Sequence, residues 1–157
     1  MKKKNNLQDL ASERAVLAAL CQYGLDCYLD IDFVDSEYFT DEVNQILFSC
    51  IHKTISENAK VELTSILSAA NSLGVAEVIN NKEEIAFIRS LFNMSTHQEN
   101  AQVHAAKIAK LKIARDLKKT LASCQKSMDS ITGEEDIVDM ISMVENPVLD
   151  VTSEIYQ

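Results

Sequence analysis

Only three glycines and one proline interrupt 157 residues. Glycine supplies positive-φ turns and phosphate-cradling loops, and proline supplies rigid corners, so a chain this poor in both has few means of building a many-turned β fold. Its apolar residues recur at i, i+3, i+4 and i+7 rather than alternately, which is the helical period. The fold class expected is all-α. With 46% apolar and 25% charged residues, the chain has enough apolar surface for one sizeable core and is too apolar to stay disordered.

The pattern places a first helix at 12–23, with Val16, Leu17, Leu20, Cys21 and Tyr23 on one side, Ser12 as its cap and Glu13 in its first turn. An acidic stretch at 26–42 reads as a short helical turn and a loop. Thr40 then opens a strongly amphipathic helix carrying Val43, Ile46, Leu47, Cys50, Ile51 and Ile55. Leu63, Ile66, Leu67 and Ala70 repeat the period before Gly74, and Ile85, Ile88, Leu91 and Phe92 repeat it again at 82–92. Capping-box spacings at Ser95 with Gln98 and Thr96 with Glu99 begin a helix of about 30 residues, which meets no Gly or Pro before Gly133. Its stripe is Ile113, Leu117, Leu121, Cys124 and Met128. Thr132 and Glu135 have the same box spacing, so a second helix is expected to begin there, carrying Ile137, Met140, Ile141 and Val144, until Pro147 ends or kinks it. The organisation expected is a flexible tail at 1–11, a compact head of about five helices at 12–95, a long antiparallel helical hairpin at 96–146 and the start of a linker at 147–157.

Charge separates the hairpin arms. Residues 97–126 hold seven basic side chains against Glu99 and Asp116, while residues 127–157 hold eight acids and no Lys or Arg. The arms are able to attract each other within one chain or between two chains, and exposed pairs of this kind set register and partner more than stability. The net charge of −9 argues against wholesale binding to a phosphate backbone. A basic face formed by Lys107, Lys110, Arg115, Lys118 and Lys119 has no interleaved aromatic residue on which bases stack, so contact with nucleic acid is expected to be weak or indirect.

Other chemistry finds little support. Three isolated glycines build neither GxxxxGK[ST] nor GxGxxG, so no nucleotide site is expected in this chain. Cys50, His52, His97 and His104 lack the paired spacing of a zinc site, and Ile131 occupies a ligand position in the only calcium-loop-like run, 129–134. The acids at 26–42 come without a positioned His, Lys or Ser, which reads as a solvated face rather than a catalytic pair. No catalytic, cofactor or metal residue is expected. The four cysteines, without CxxC spacing, read as reduced core thiols. Met1-Lys2-Lys3-Lys4 and the run from Ala15 to Cys21 imitate a lipoprotein signal, but Asp9, Glu13 and Arg14 interrupt the approach and Leu20 stands where a small residue is needed. A cytoplasmic chain without membrane insertion is expected.

Five stretches stand in a telling order. Ser12-Glu13-Arg14-Ala15-Val16-Leu17-Ala18-Ala19-Leu20 comes first. Asp35-Ser36-Glu37-Tyr38-Phe39 with Ile46-Leu47-Phe48, and Val61-Glu62-Leu63-Thr64 through Leu73-Gly74, follow it. Asn100 to Leu117 with Ala114-Arg115-Asp116-Leu117, and Glu134-Glu135-Asp136-Ile137 to Val144-Glu145, complete the set. In this order the stretches resemble the N-terminal domain of the DnaB-like hexameric replicative helicases, the first being similar to that family's opening helix. Ala18 stands where glycine is usual, Asn44 where histidine is frequent, Arg115 where two arginines often adjoin, and Pro147 interrupts the last helix; these departures describe a divergent bacterial or phage member. The resemblance implies hairpins that pair between subunits, dimers arranged as a three-fold collar on a hexamer, and a collar that receives the C-terminal domain of primase and a helicase loader. It also implies that ATP and Mg²⁺ belong to a motor domain beyond a linker after residue 157. The self-association residues would be Ile113, Leu117, Leu121, Cys124, Ile137, Met140, Ile141 and Val144. The chain would be an excised collar domain; the alternative is a stand-alone helical adaptor, such as a helicase loader or inhibitor.

Overall fold

In the computed structural model, which describes residues 7–156, the regular structure is entirely helical. In order come α1 (Leu10–Tyr23), α2 (Leu25–Asp30), α3 (Glu42–Ser56), α4 (Leu63–Ser72), α5 (Ala76–Ile79), α6 (Lys82–Asn93), α7 (Gln98–Met128) and α8 (Ile137–Ser153), with 3-10 turns at Ser36–Tyr38 and Glu154–Tyr156. The expected all-α class is what forms. Of the expected tail, residues 1–6 lie outside the described residues, and Leu10 and Ala11 are already helical.

The chain divides into two compact units, Met1–Ala109 and Lys110–Gln157. In the first, α1 packs against α2, α3 and α6, and α4 lies across α3 and α6. Enclosure on several sides explains why Val16 to Cys21 are all buried, a run that no one-sided amphipathic helix tolerates. Leu17, Leu20, Leu47, Ile51, Ile66, Ile79, Ile88 and Leu91 are at most 2% exposed. Full burial of each such side chain contributes about 2 kcal/mol.

The first unit extends past the boundary expected at residue 95. Ala101, Ala105 and Ile108, spaced i, i+4, i+7 on α7, join the same core. Two alanines on that face allow a close approach to the neighbouring helices. The expected head therefore lacks one wall, which the first turns of α7 supply.

Helix starts also shift from expectation. Asp9, not Ser12, caps α1, accepting the Ser12 N–H at 3.1 Å. Asp41 caps α3 by accepting from Val43 and Asn44, and Asn81 caps α6 by accepting from Glu84. Gly24, at φ +58° and ψ −130°, ends α1 and begins α2; that backbone region is open essentially to glycine alone.

In the second unit, Cys124 lies about one turn before the end of α7 and its thiol sits 3.7 Å from the carbonyl oxygen of Met143 in α8. The two helices thus fold back on each other. Pro147 neither ends α8 nor starts a linker: the helix runs through it to Ser153. Proline has no N–H for the carbonyl four residues earlier, which is that of Met143. The Cys124 thiol donates to this same oxygen, so the bond lost along the helix is partly replaced from the side.

The box at Thr132 closes a turn instead of opening a helix. Glu135 accepts from the N–H groups of Thr132 and Gly133 at 3.0 and 2.9 Å, and Thr132 Oγ1 accepts from Glu134 N–H at 3.3 Å. Gly133 has φ +95°, which a right-handed helix cannot contain, so α8 waits until Ile137.

Candidate functional site

Of the eight expected self-association residues, only Cys124 is buried, at 5% exposure. Ile113 and Leu117 on α7, and Met140 and Val144 on α8, are half-buried. Leu121, Ile137 and Ile141 remain 55%, 67% and 46% exposed. The stripe is thus only partly used within the chain.

The basic residues separate. Lys107 lies in the first unit, where its ammonium is 2.7 Å from Asp9. Lys112 pairs with Asp116 one turn along α7, and Arg115 is half-buried. Lys110, Lys118 and Lys119 are exposed and make no ion pair among the described residues. The acids of α8, Asp139, Glu145 and Asp150, make none either. For these side chains, attraction between the arms is not satisfied inside one chain.

Two polar constructions were not legible from spacing. Asp9 accepts from Lys107 and from the Ser12 hydroxyl at 3.0 Å, while Ser12 Oγ lies 3.2 Å from His104 Nδ1. Because the serine hydroxyl proton goes to Asp9, the histidine nitrogen is the donor in the second contact, and the set ties the start of α1 to α7. Lys107, with the backbone and hydroxyl of Ser12 behind it, pulls the Asp9 carboxyl down to about 2. Despite its Ser, His and Asp, the set is no nucleophile relay: the hydroxyl sits between the other two groups, on a serine that is buried.

Glu13 is the second construction. At 1% exposure it accepts from Thr40 N–H at 3.1 Å, Thr40 Oγ1 at 2.7 Å and Asn44 Nδ2 at 3.2 Å. A buried carboxylate needs such donors, and here they come from the approach to α3 and its first turn.

Burial pushes the thiols of Cys21, Cys27 and Cys50 up to about 12, 11 and 11, so all three stay protonated and poorly nucleophilic. Among the described residues, no three His, Cys, Asp or Glu side chains are grouped to hold a metal, and no helix is long and apolar enough to cross a membrane.

Fold and surface together define an all-helical domain with an open apolar face on its second unit. The family model described as the DnaB-like helicase N terminal domain matches residues 5–110, and the chain belongs to that family. It is also similar in fold to the crystal structure of the N-terminal domain of DnaB helicase from Mycobacterium tuberculosis, with a TM-score of 0.74, 16% identity, and coverage of 91% of this chain and 97% of that one. No curated protein matches it. The resemblance read from the order of motifs thus holds for family and fold. The family match ends at the boundary between the two units, and the structural similarity continues beyond it.

Proposed function

We propose that the chain serves as the collar domain of a DnaB-like replicative helicase, associating with copies of itself through the face of Ile113, Leu117, Leu121, Cys124, Ile137, Met140, Ile141 and Val144. The exposure of Leu121, Ile137 and Ile141 carries this reading: burying them between copies gains the hydrophobic stabilisation the single chain forgoes. Lys118 and Lys119 on α7 and Asp139 and Glu145 on α8, which make no ion pair among the described residues, fix the register between copies by charge. Dimers assembling three-fold into a hexameric collar are the expected product, with the C-terminal domain of primase and a helicase loader as further partners. Catalysis, with ATP and Mg²⁺, belongs to a motor domain, and the work is done in the cytoplasm of a bacterium or of a phage-infected cell.

Light scattering across a concentration series tests this. A dimer, or a hexamer of 17.5 kDa chains near 105 kDa, is expected. Leu121→Asp combined with Ile141→Asp lowers that mass to the monomer while the helical circular dichroism is kept. A wild-type chain that stays monomeric at every concentration overturns self-association and favours the stand-alone adaptor.

A further inference from the structure

Between Arg14 and Lys53 the sequence contains seven acidic side chains and no lysine or arginine. The fold gathers part of this run around one groove of about 600 Å³, bounded by α2, by the loop and 3-10 turn that follow it, by α3 and by Leu73. Its floor is aromatic. The Tyr28 ring stands edge-on to His52 at 5.5 Å between centroids, and Phe48 lies tilted 6.2 Å from the same imidazole. Two large apolar side chains on its lip, Phe33 and Leu73, are 46% and 45% exposed. Asp32 and Asp35 beside them are exposed and make no ion pair among the described residues. Lys53, the one lysine or arginine among the described residues of the wall, is engaged by Glu57.

An apolar lip, an aromatic floor and two unneutralised carboxylates complement one kind of occupant. We propose that this groove docks a basic amphipathic segment of a partner protein. An aliphatic side chain of the segment packs against Phe33 and Leu73, and a Lys or Arg one turn away lies near the Tyr28 ring and pairs with Asp32 or Asp35. Charge selects the occupant: an acidic segment would bring like charge to a run that has no base to offset it. The groove lies wholly within the first unit, so the inference does not rest on self-association through α7 and α8.

The test titrates the ¹⁵N-labelled full chain with a short synthetic helical peptide of leucine and lysine, and with the same peptide carrying glutamate for lysine. The lysine peptide is expected to shift the amide signals of residues 31–36 and 49–53, and the glutamate peptide to leave them in place. Phe33→Ser is expected to weaken binding about tenfold, as truncation of an aromatic contact residue does. Asp32→Asn with Asp35→Asn is expected to weaken it by a similar factor and to flatten its salt dependence. Leu73→Ser serves as the second apolar variant should Phe33→Ser fail to fold. Shifts centred on residues 110–153, equal response to the glutamate peptide, or unchanged affinity in the Asp32 and Asp35 variant would overturn the proposal. So would loss of self-association in Phe33→Ser by light scattering, because the groove would then belong to a second copy of the chain.

Discussion

Glu13 shows how much a single buried charge depends on its surroundings. Removing it in Glu13→Ala leaves the Thr40 and Asn44 donors facing a void, and each buried donor without an acceptor costs about 1–3 kcal/mol. The expected loss for Glu13→Ala is about 3 kcal/mol, seen as a fall in the urea midpoint without a change in slope. Glu13→Gln retains an acceptor and is expected to cost about 1 kcal/mol. Asp9 gives a second test at this scale. Its folded value of about 2 lies below its ordinary 3.8, so the stabilisation it provides is complete above the ordinary value and disappears as pH falls through about 2. Asp9→Asn is therefore expected to flatten the acid limb of stability between roughly pH 4 and 2 and to leave its shape unchanged at neutral pH. In the sequence, Glu13 resembles any acid in a first turn. Its partners lie 27 and 31 residues away, in the approach to another helix and in that helix's first turn, and no local spacing encodes that.

At the scale of elements, the 3.6-residue period made α3, α4 and α6 legible almost to their ends, because each buries one face of a long enough helix. The four residues of α5 contain barely one turn, which is too few to display a period. Boundaries failed where a competing local rule applied. Asp9 took the cap expected of Ser12, and Gly133 turned a capping box into an isolated loop. Pro147 does not end α8 as one of its two expected effects would have it, since the rule that proline breaks helices omits the possibility of an outside donor. If the Cys124 thiol serves the Met143 carbonyl that Pro147 leaves open, the two substitutions are coupled. Cys124→Ala alone is expected to destabilise the second unit by about 1–2 kcal/mol, through the lost contact and the small void. In a Pro147→Ala background, where the helix satisfies that carbonyl itself, the same change is expected to cost measurably less. Thermal melts of both single variants and the double variant close the cycle, and strict additivity would show that the thiol has no such role.

For the whole molecule, the sequence announced an arm with one apolar stripe and opposite charges. It did not announce where the arm starts, because α7 changes allegiance at residue 109 without any break in helical pattern. The candidate stripe was legible because periodicity marks a face. The groove was not, since it joins residues from α2, α3 and Leu73 that only the fold brings together. Should copies associate through arms of opposite charge, Lys118→Glu with Lys119→Glu is expected to lower the solution mass at low ionic strength. Raising salt to about 0.5 M, where the screening length is only a few ångströms, is expected to weaken the wild-type assembly in the same direction. An assembly indifferent to both would be held by the apolar stripe alone.

The four cysteines make this protein its own reporter of local opening. Cys21, Cys27 and Cys50 are enclosed in the first unit, and Cys124 alone is enclosed in the second. A thiol reagent reaches a buried cysteine only when the surrounding structure opens, so the labelling order ranks the two units by their opening free energies. The second unit shares its stripe with solvent and has the smaller enclosed interior. Mass-resolved labelling of the unmodified chain should therefore tag Cys124 first and the other three together, and a partner that covers the second unit would delay the first tag without touching the rest.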